Sequence, residues 1–227
     1  MPSLSQLLTD HGSLLVLDAA STRVQVGLLQ PAAPALWRST PDEAGTGIFS
    51  CTESVLHESK LKLEEIGAFV FCEGPGSMLG IRTVAMALRT WRVLRPLPTY
   101  AYQSLALAGR FAWTQEAGRS FAVIADARRD TWHCQQVGAG GGMPALQRVP
   151  SADLPDAELV TPENFRAWAQ PPRPAGACSY DLTKIFPAVA AEDYFRPVDA
   201  PDAFQHEAPD YKKWSAKIHR AATADRK

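Results

Sequence analysis

The residues best suited to bind a ligand lie in a glycine-rich stretch between Cys72 and Arg82. Its turn-forming residues, called the signature turn below, are Gly74, Pro75, Gly76, Ser77 and Gly80. The two glycines before Ser77 permit positive φ, and Ser77 is a typical helix N-cap. Because N–H groups at a helix N-terminus can hold an anion, the turn is a candidate ligand site. The spacing is neither a phosphate loop nor G-x-G-x-x-G, so a tight structural turn and a ligand or partner contact both stay open.

No other group of residues has the spacing of a catalytic or metal site. The five histidines are isolated, without an H-E-x-x-H pattern or a cluster with cysteine. A G-x-S-x-G elbow, which would indicate a serine hydrolase, is also missing. The sequence therefore predicts no metal site and no catalytic residue, and it gives no support to a peptidase.

Composition places the chain among ordinary globular proteins. It has 227 residues, of which 46% are hydrophobic and 21% charged, and its formal net charge is −1. A near-neutral charge argues against a protein that grips nucleic acid alone through a broad basic face. The four cysteines are scattered without a C-x-x-C pair, which predicts free thiols in a reducing compartment. With neither a signal peptide nor a membrane span indicated, we expect a cytoplasmic protein.

The strand and helix pattern occurs twice along the chain. An apolar run at residues 14–17 ends at Asp18, and the run at 121–125 ends at Asp126. Each acid is followed by a short turn and a returning strand; the first returning strand, 24–28, alternates and is expected to be half-buried. Helices are predicted at 46–58, 81–95, 104–113 and 161–168. The repeat predicts a duplicated α/β architecture.

These patterns divide the chain into four segments. We predict a short, frayed N-terminal extension at residues 1–12, a first lobe at 13–115, a second lobe at 116–209 and a basic tail at 210–227. Few clean periodic segments follow residue 137, so the second lobe is expected to be shortened.

Residues 73–82 resemble the G-P-G-S-F-T-G-x-R signature of the bacterial TsaB (YeaZ) family, with Met78 and Leu79 at the Phe-Thr positions. A second, shorter match is the run that begins Asp126-Ala127-Arg128, which resembles the D-A-R motif of that family. A third begins at Pro209 and resembles the P-x-Y-L-R ending, with lysines at 212 and 213. The resemblance implies the two-lobed actin-like ATPase (ASKHA) fold.

The resemblance also implies a function. Members of the family are non-catalytic partners of a TsaD-type catalytic subunit and a TsaE-type ATPase, which together make threonylcarbamoyladenosine (t6A) at adenosine 37 of tRNA. We therefore expect no intrinsic activity and no intrinsic cofactor, with ATP or ADP and Mg²⁺ only at a partner interface. A homodimer is expected in isolation, and tRNA is expected to be reached only through the complex.

In the family, the two helices of the first lobe form the interface with a second copy or with the TsaD-type subunit. The residues carried over to that interface are Ile48, Thr52, Arg82, Met86 and Arg89. Methionine and arginine are enriched at such surfaces, whereas the other interpretation is an ordinary solvated helix face. Both interpretations stay open.

In actin-like ATPases, the acid-bearing hairpin turns face the cleft between the lobes and hold phosphates and Mg²⁺. The resemblance therefore makes Asp18, Asp126 and Arg128 candidate cleft ligands. The first turn here lacks the glycine that lets backbone approach phosphate, and an arginine in the second turn could instead fill the cleft and pair with Asp18. The alternative to a docking subunit is a free-standing actin-like ATPase or small-molecule kinase that uses the two aspartates.

Overall fold

The computed structural model describes residues 1–206 of the chain, so the motif that begins at Pro209 and the predicted basic tail lie outside the described residues. Within that part, the strands form two mixed sheets. Those of the first half are β1 (Leu14–Asp18), β2 (Val24–Leu29), β3 (Leu36–Thr40), β4 (Ala68–Gly74) and β5 (Thr99–Gln103). Those of the second half are β6 (Phe121–Asp126), β7 (Thr131–Val137), β8 (Gln147–Pro150), β9 (Glu158–Pro162), β10 (Ala175–Cys178) and β11 (Arg196–Pro197).

The two sheets repeat one topology. The first has the order β11-β5-β4-β1-β2-β3 and the second β10-β9-β6-β7-β8. In both, an antiparallel meander (β1, β2, β3 and β6, β7, β8) is followed by two strands that pair in parallel beside the first. This confirms the duplicated architecture. The short β11, within the segment predicted for the second lobe, returns to pair antiparallel with β5.

Within residues 1–206, five α-helices pack on these sheets. They are α1 (Leu4–His11), α2 (Ala44–Ser59), α3 (Met78–Leu94), α4 (Ser104–Gln115) and α5 (Leu182–Ala188). Alternate residues of β1 face opposite sides. Val16 packs in the core shared with α1, α4 and α5, whereas Leu15 packs in the core that α2 and α3 cover. The core on the other face of the second sheet includes no helical residue among those described, which agrees with a shortened second lobe.

The structure corrects three sequence predictions. Residues 1–12 are not frayed, because Ser3 caps α1 and the side chains of Leu4 and Leu7 are buried in the core. The returning strand β2 is buried along its whole length, because α2 covers one face while Gln25 and Leu29 on the other face pack against the second half and the core shared with α1, α4 and α5. The helix predicted at 161–168 is absent; β9 continues to Pro162 because β10 pairs with it through that residue, whereas its pairing with β6 ends at Val160. There, strand pairing overrides the local N-cap pattern.

Two further observations concern the described residues. All four cysteines are free and buried, as the scattered pattern predicts. None of the helices in residues 1–206 has the length and apolarity needed to cross a membrane.

The N-terminal helix is expected to contribute to stability as a core element. Leu7 is 1% exposed, so Leu7→Ala should lower the free energy of unfolding by about 3 kcal/mol. Asp10→Ala, at an exposed position of the same helix, should change it by no more than about 0.5 kcal/mol. Urea denaturation of both variants measures the difference. Equal stabilities would show that α1 is not part of the cooperative core.

Candidate functional site

The signature turn joins β4 to α3 and packs on the turn that follows β1. An ideal Cβ at Gly76 would lie 2.4 Å from the carbonyl oxygen of Ala20, and one at Gly80 would lie 2.1 Å from that of Ala19. The Ser77 N–H donates to the Ala20 oxygen at 2.7 Å, and its hydroxyl caps α3 by accepting from Gly80 N. The glycines therefore allow two turns to touch. This packing explains why glycines occupy these positions of the signature turn.

Asp18 is fully buried at the seam between the two halves of the chain. Its Oδ2 accepts a hydrogen bond from Tyr102, at the end of the first sheet, at 2.6 Å. The same oxygen accepts one from Tyr180, which follows β10 of the second sheet, at 2.7 Å. The remaining oxygen accepts from Ala20 N at 2.8 Å. Both carboxylate oxygens thus accept hydrogen bonds from within the chain, with a donor from each half. The carboxylate is therefore not free to bind a ligand.

Gln25 reinforces this seam from β2. Its side-chain N–H donates to the carbonyl of Tyr180 at 3.1 Å, and its Oε1 accepts from Leu182 N at 3.0 Å. Sequence analysis missed Gln25 and both tyrosines, because each occupies an ordinary strand or loop position. Only their hydrogen-bond partners in the folded chain identify them.

Burial raises the pKa of Asp18 above its ordinary value, because desolvation disfavours the carboxylate; the three donors oppose the shift. Burial and the nearby Asp18 also raise the pKa of both tyrosines, so their hydroxyls stay protonated as donors. The seam therefore depends on a carboxylate that accepts from two phenols.

Asp126 occupies the equivalent position in the second half but has different surroundings. Its Oδ1 accepts from Arg128 N at 2.6 Å, and its Oδ2 accepts from Trp168 N at 2.5 Å and Ala169 N at 3.0 Å. Partial burial opposes ionisation, yet the backbone donors lower its pKa. Asp18 and Asp126 share no hydrogen-bonding partner among the described residues. Within residues 1–206, no hydrogen bond or ion pair joins Asp18 to Asp126 or to Arg128.

Arg128 neither fills the seam nor pairs with Asp18. Its guanidinium lies over the ring of Trp168, 5.0 Å from the centroid. Arg128, Arg129 and Asp130 all have positive φ, at 64°, 53° and 57°. A left-handed backbone costs a non-glycine residue about 1–2 kcal/mol, so this turn is strained.

A cavity of about 350 Å³ opens beside the signature turn. Its walls include Ser21 and Thr22 of the first hairpin turn, Ser77 at the start of α3, and Arg166 from the second half. Asp42 and Glu43, ahead of α2, also line it. Thr22 N donates to the carbonyl of Asn164 at 2.7 Å, so the loop after β9 touches the first hairpin turn here.

The residues predicted for partner binding divide into three groups. Ile48 is 0% exposed and Thr52 4% exposed, so both belong to the core; this corrects their prediction as contact residues. Arg89 is exposed but bound within the chain, to the carbonyl of Pro201 at 2.7 Å and to Asp202 at 3.1 Å.

Arg82 and Met86 lie on the open face of α3 with two exposed apolar residues: Val93, which helical spacing predicts on the same stripe, and Leu79, which the structure adds. Leu79 is 79% exposed and Val93 is 83% exposed. With Met86, they are spaced by seven residues and therefore share one helix face. We call Leu79, Arg82, Met86 and Val93 the α3 stripe. Helical spacing predicts a separate core face with Ile81, Val84 and Leu88, and the burial of these three residues confirms that division.

The topology and the two acid-bearing hairpins define a protein of the actin-like ATPase fold class. Two solved structures share this fold with the chain: an uncharacterized protein with similarity to peptidase YEAZ from Pseudomonas aeruginosa, and YeaZ from Pseudomonas aeruginosa. Each is 21% identical with a TM-score of 0.59, and each match covers 79% of this chain and 90% of the other. No family model and no curated protein matches the chain. The expected resemblance to YeaZ is thus confirmed at the level of the fold.

The close packing of the signature turn leads to a stability prediction. Gly80→Ala should lower the free energy of unfolding by about 1–3 kcal/mol, because its Cβ would overlap the Ala19 carbonyl. Gly45→Ala is the matched control, since a Cβ there meets nothing within 4 Å, and it should be neutral or stabilising by up to about 1 kcal/mol. Urea denaturation checks both. Unchanged stability of Gly80→Ala would contradict the packing of the two turns.

The two aspartates should give opposite pH dependences. Because burial raises the folded pKa of Asp18, its favourable contribution is complete below about pH 4 and is lost as pH rises through the folded pKa. Asp18→Asn should therefore gain stability relative to wild type as pH rises. Asp126→Asn should lose it, because the lowered pKa of Asp126 contributes stability above about pH 4. Unfolding free energies across about pH 2–8 measure both, because the Asp126 contribution is lost only as pH falls through its lowered pKa, and parallel curves would contradict the assignment.

Proposed function

We propose that this chain is a non-catalytic, TsaB-like subunit that docks a TsaD-type catalytic subunit. In that role it supports the transfer of threonylcarbamoyl to adenosine 37 of tRNA. The exposed apolar α3 stripe on a YeaZ-like fold is the observation that carries the proposal.

The stripe has the properties of a protein contact surface. Leu79, Met86 and Val93 are 79%, 56% and 83% exposed, and together they extend along the whole of α3. Contiguous exposed apolar surface of this kind marks interaction sites on soluble proteins. Phe49 of α2 is a further exposed apolar side chain, at 49%, and it packs edge-on to Trp91 of α3 at 6.0 Å between ring centroids.

Arg82 gives this surface a charged group at its centre. It is exposed between Leu79 and Met86 and has no ion-pair partner within residues 1–206. Arginine can bind a carboxylate with two parallel hydrogen bonds, and it is enriched at protein interfaces. An acidic group of the catalytic partner facing Arg82 would supply orientation, while the apolar residues supply the buried area.

The seam between the halves supports a docking role over a catalytic one. Asp18, which an independent ATPase would need in its cleft, accepts hydrogen bonds from Tyr102 and Tyr180 and has no solvent exposure. The signature turn then holds the start of α3 against the first hairpin turn, so the stripe is presented by a rigid helix. In this proposal the partner performs the chemistry, and the TsaE-type ATPase and tRNA join through the complex.

The test is light scattering after size exclusion, on the chain alone and mixed with the TsaD-type subunit of the same organism. Wild type should form a heterodimer, and self-association of the free chain through the same face should give way to it. Arg82→Glu combined with Met86→Glu should weaken the heterodimer at least tenfold, because it buries two unpaired charges in an apolar contact.

Lys184→Glu, a charge reversal at an exposed site on α5, is the matched control and should leave docking unchanged. A chain that ignores the TsaD-type subunit would overturn the proposal. So would a double variant that docks as well as the control. ATP turnover by the purified chain alone, lost in Asp18→Asn, would instead favour the free-standing ATPase.

A further inference from the structure

The second hairpin turn and the loop after β9 place four exposed side chains together that the docking role does not use. They are Arg128, Arg129, Arg166 and Trp168, called here the arginine–tryptophan surface. Asp126 connects the two segments, since its carboxylate accepts from the backbone of Arg128 and of Trp168. The surface lies beside the cavity whose wall includes Arg166.

The backbone of the turn is held in an uncommon conformation. Arg128, Arg129 and Asp130 are three consecutive non-glycine residues with positive φ. Hydrogen bonds from Thr131 N to the Arg128 carbonyl, at 3.1 Å, and from Ser151 N to the Asp130 carbonyl, at 3.0 Å, keep the turn in place. Glycine would adopt this conformation at the least cost. Such strain, kept at bulky charged residues, points to a use for their side chains.

Trp168 is the most exposed aromatic residue among those described, at 72%. Its backbone is fixed by Asp126, and the guanidinium of Arg128 lies over its ring at 5.0 Å from the centroid. An indole presented in this way offers a flat, ordered surface with an adjacent cation. Nucleobases stack on aromatic rings, and arginine adds a cation–π contribution.

The charges around the tryptophan favour an anionic ligand. Within residues 1–206, neither Arg129 nor Arg166 has an ion-pair partner. The acids of the turn are already engaged: Asp126 accepts three backbone N–H groups, and Asp130 accepts from the Ser151 hydroxyl. Asp42 and Glu43 face Arg166 only across the cavity and limit the positive surface on that side.

We propose that the arginine–tryptophan surface binds a short stretch of single-stranded RNA. One unpaired base stacks on Trp168, while Arg129 and Arg166 contact phosphates on either side. The choice of RNA rests on the proposed function. A surface with two or three phosphate contacts on a chain of net charge −1 binds weakly alone, so it adds a contact to a larger assembly.

The experiment measures fluorescence anisotropy of a labelled 12-nucleotide single-stranded RNA titrated with the full-length chain at 50 and 200 mM KCl. Binding should weaken with salt, with a slope of log K against log salt of about −1.4 for the two phosphate contacts of Arg129 and Arg166. Arg129→Glu with Arg166→Glu should weaken binding at least fivefold and flatten the slope. Trp168→Ala should weaken it at least fivefold, and Trp168→Phe should restore most of the loss because a ring is kept.

Lys62→Glu is the control, because Lys62 precedes β4 at the end of the strand remote from the signature turn, and it should bind RNA as wild type does. Cations outside the described residues are the same in every variant. No binding at 50 mM KCl would overturn the proposal. Equal binding by the variants, or equal affinity for a duplex RNA, would do the same.

Preference for an acidic peptide over RNA, lost in the same arginine variants, would also overturn it and assign the surface to an acidic protein segment.

Light scattering with the TsaD-type subunit on these variants separates the two proposals. Intact docking without RNA binding refutes only the RNA contact. RNA binding without docking refutes only the docking role.

Discussion

The structure depends on one buried carboxylate shared by two tyrosines. Asp18 has no solvent exposure, and a buried carboxylate is stable only when hydrogen bonds replace the water it has lost. Tyr102 comes from the first sheet and Tyr180 from the second half, so satisfying the carboxylate requires both halves to be in place. The interaction fixes their relative position and occupies the point where an actin-like ATPase would present its acid to a ligand.

The same seam determines what the first hairpin turn can do. With Asp18 held inward, the carbonyl oxygens of Ala19 and Ala20 face the signature turn, which approaches them through Gly76 and Gly80. The N–H of Ser77 is taken by Ala20, so packing explains a glycine-rich pattern that elsewhere would suggest anion binding. This packing sets the angle of α3, and the α3 stripe lies on the outward side of that helix.

Duplication gave the two halves the same strand order but different hairpin chemistry. The first turn is small and buried, and it serves packing. The second carries Arg128 and Arg129 on a strained, exposed backbone beside Trp168. The shorter cover of the second sheet leaves this turn open, whereas α3 packs on the first. The same strand order thus carries a buried, hydrogen-bonded seam at the first hairpin turn and the exposed arginine–tryptophan surface at the second.

The sequence by itself determined the two acid-bearing hairpins, helices α2 to α4, the repeat and the signature turn, because these depend on local periodicity and on conformations that Gly, Pro and Ser favour. It failed where partners distant in sequence decide. Strand pairing with β10 turned a predicted helix start at Pro162 into the end of β9. The family resemblance placed Ile48 and Arg89 on a contact surface, but one is core and the other is bound by residues 201–202. The role of Asp18 was likewise decided only by the tertiary structure, since Tyr180 lies 162 residues away and burial depends on the whole chain.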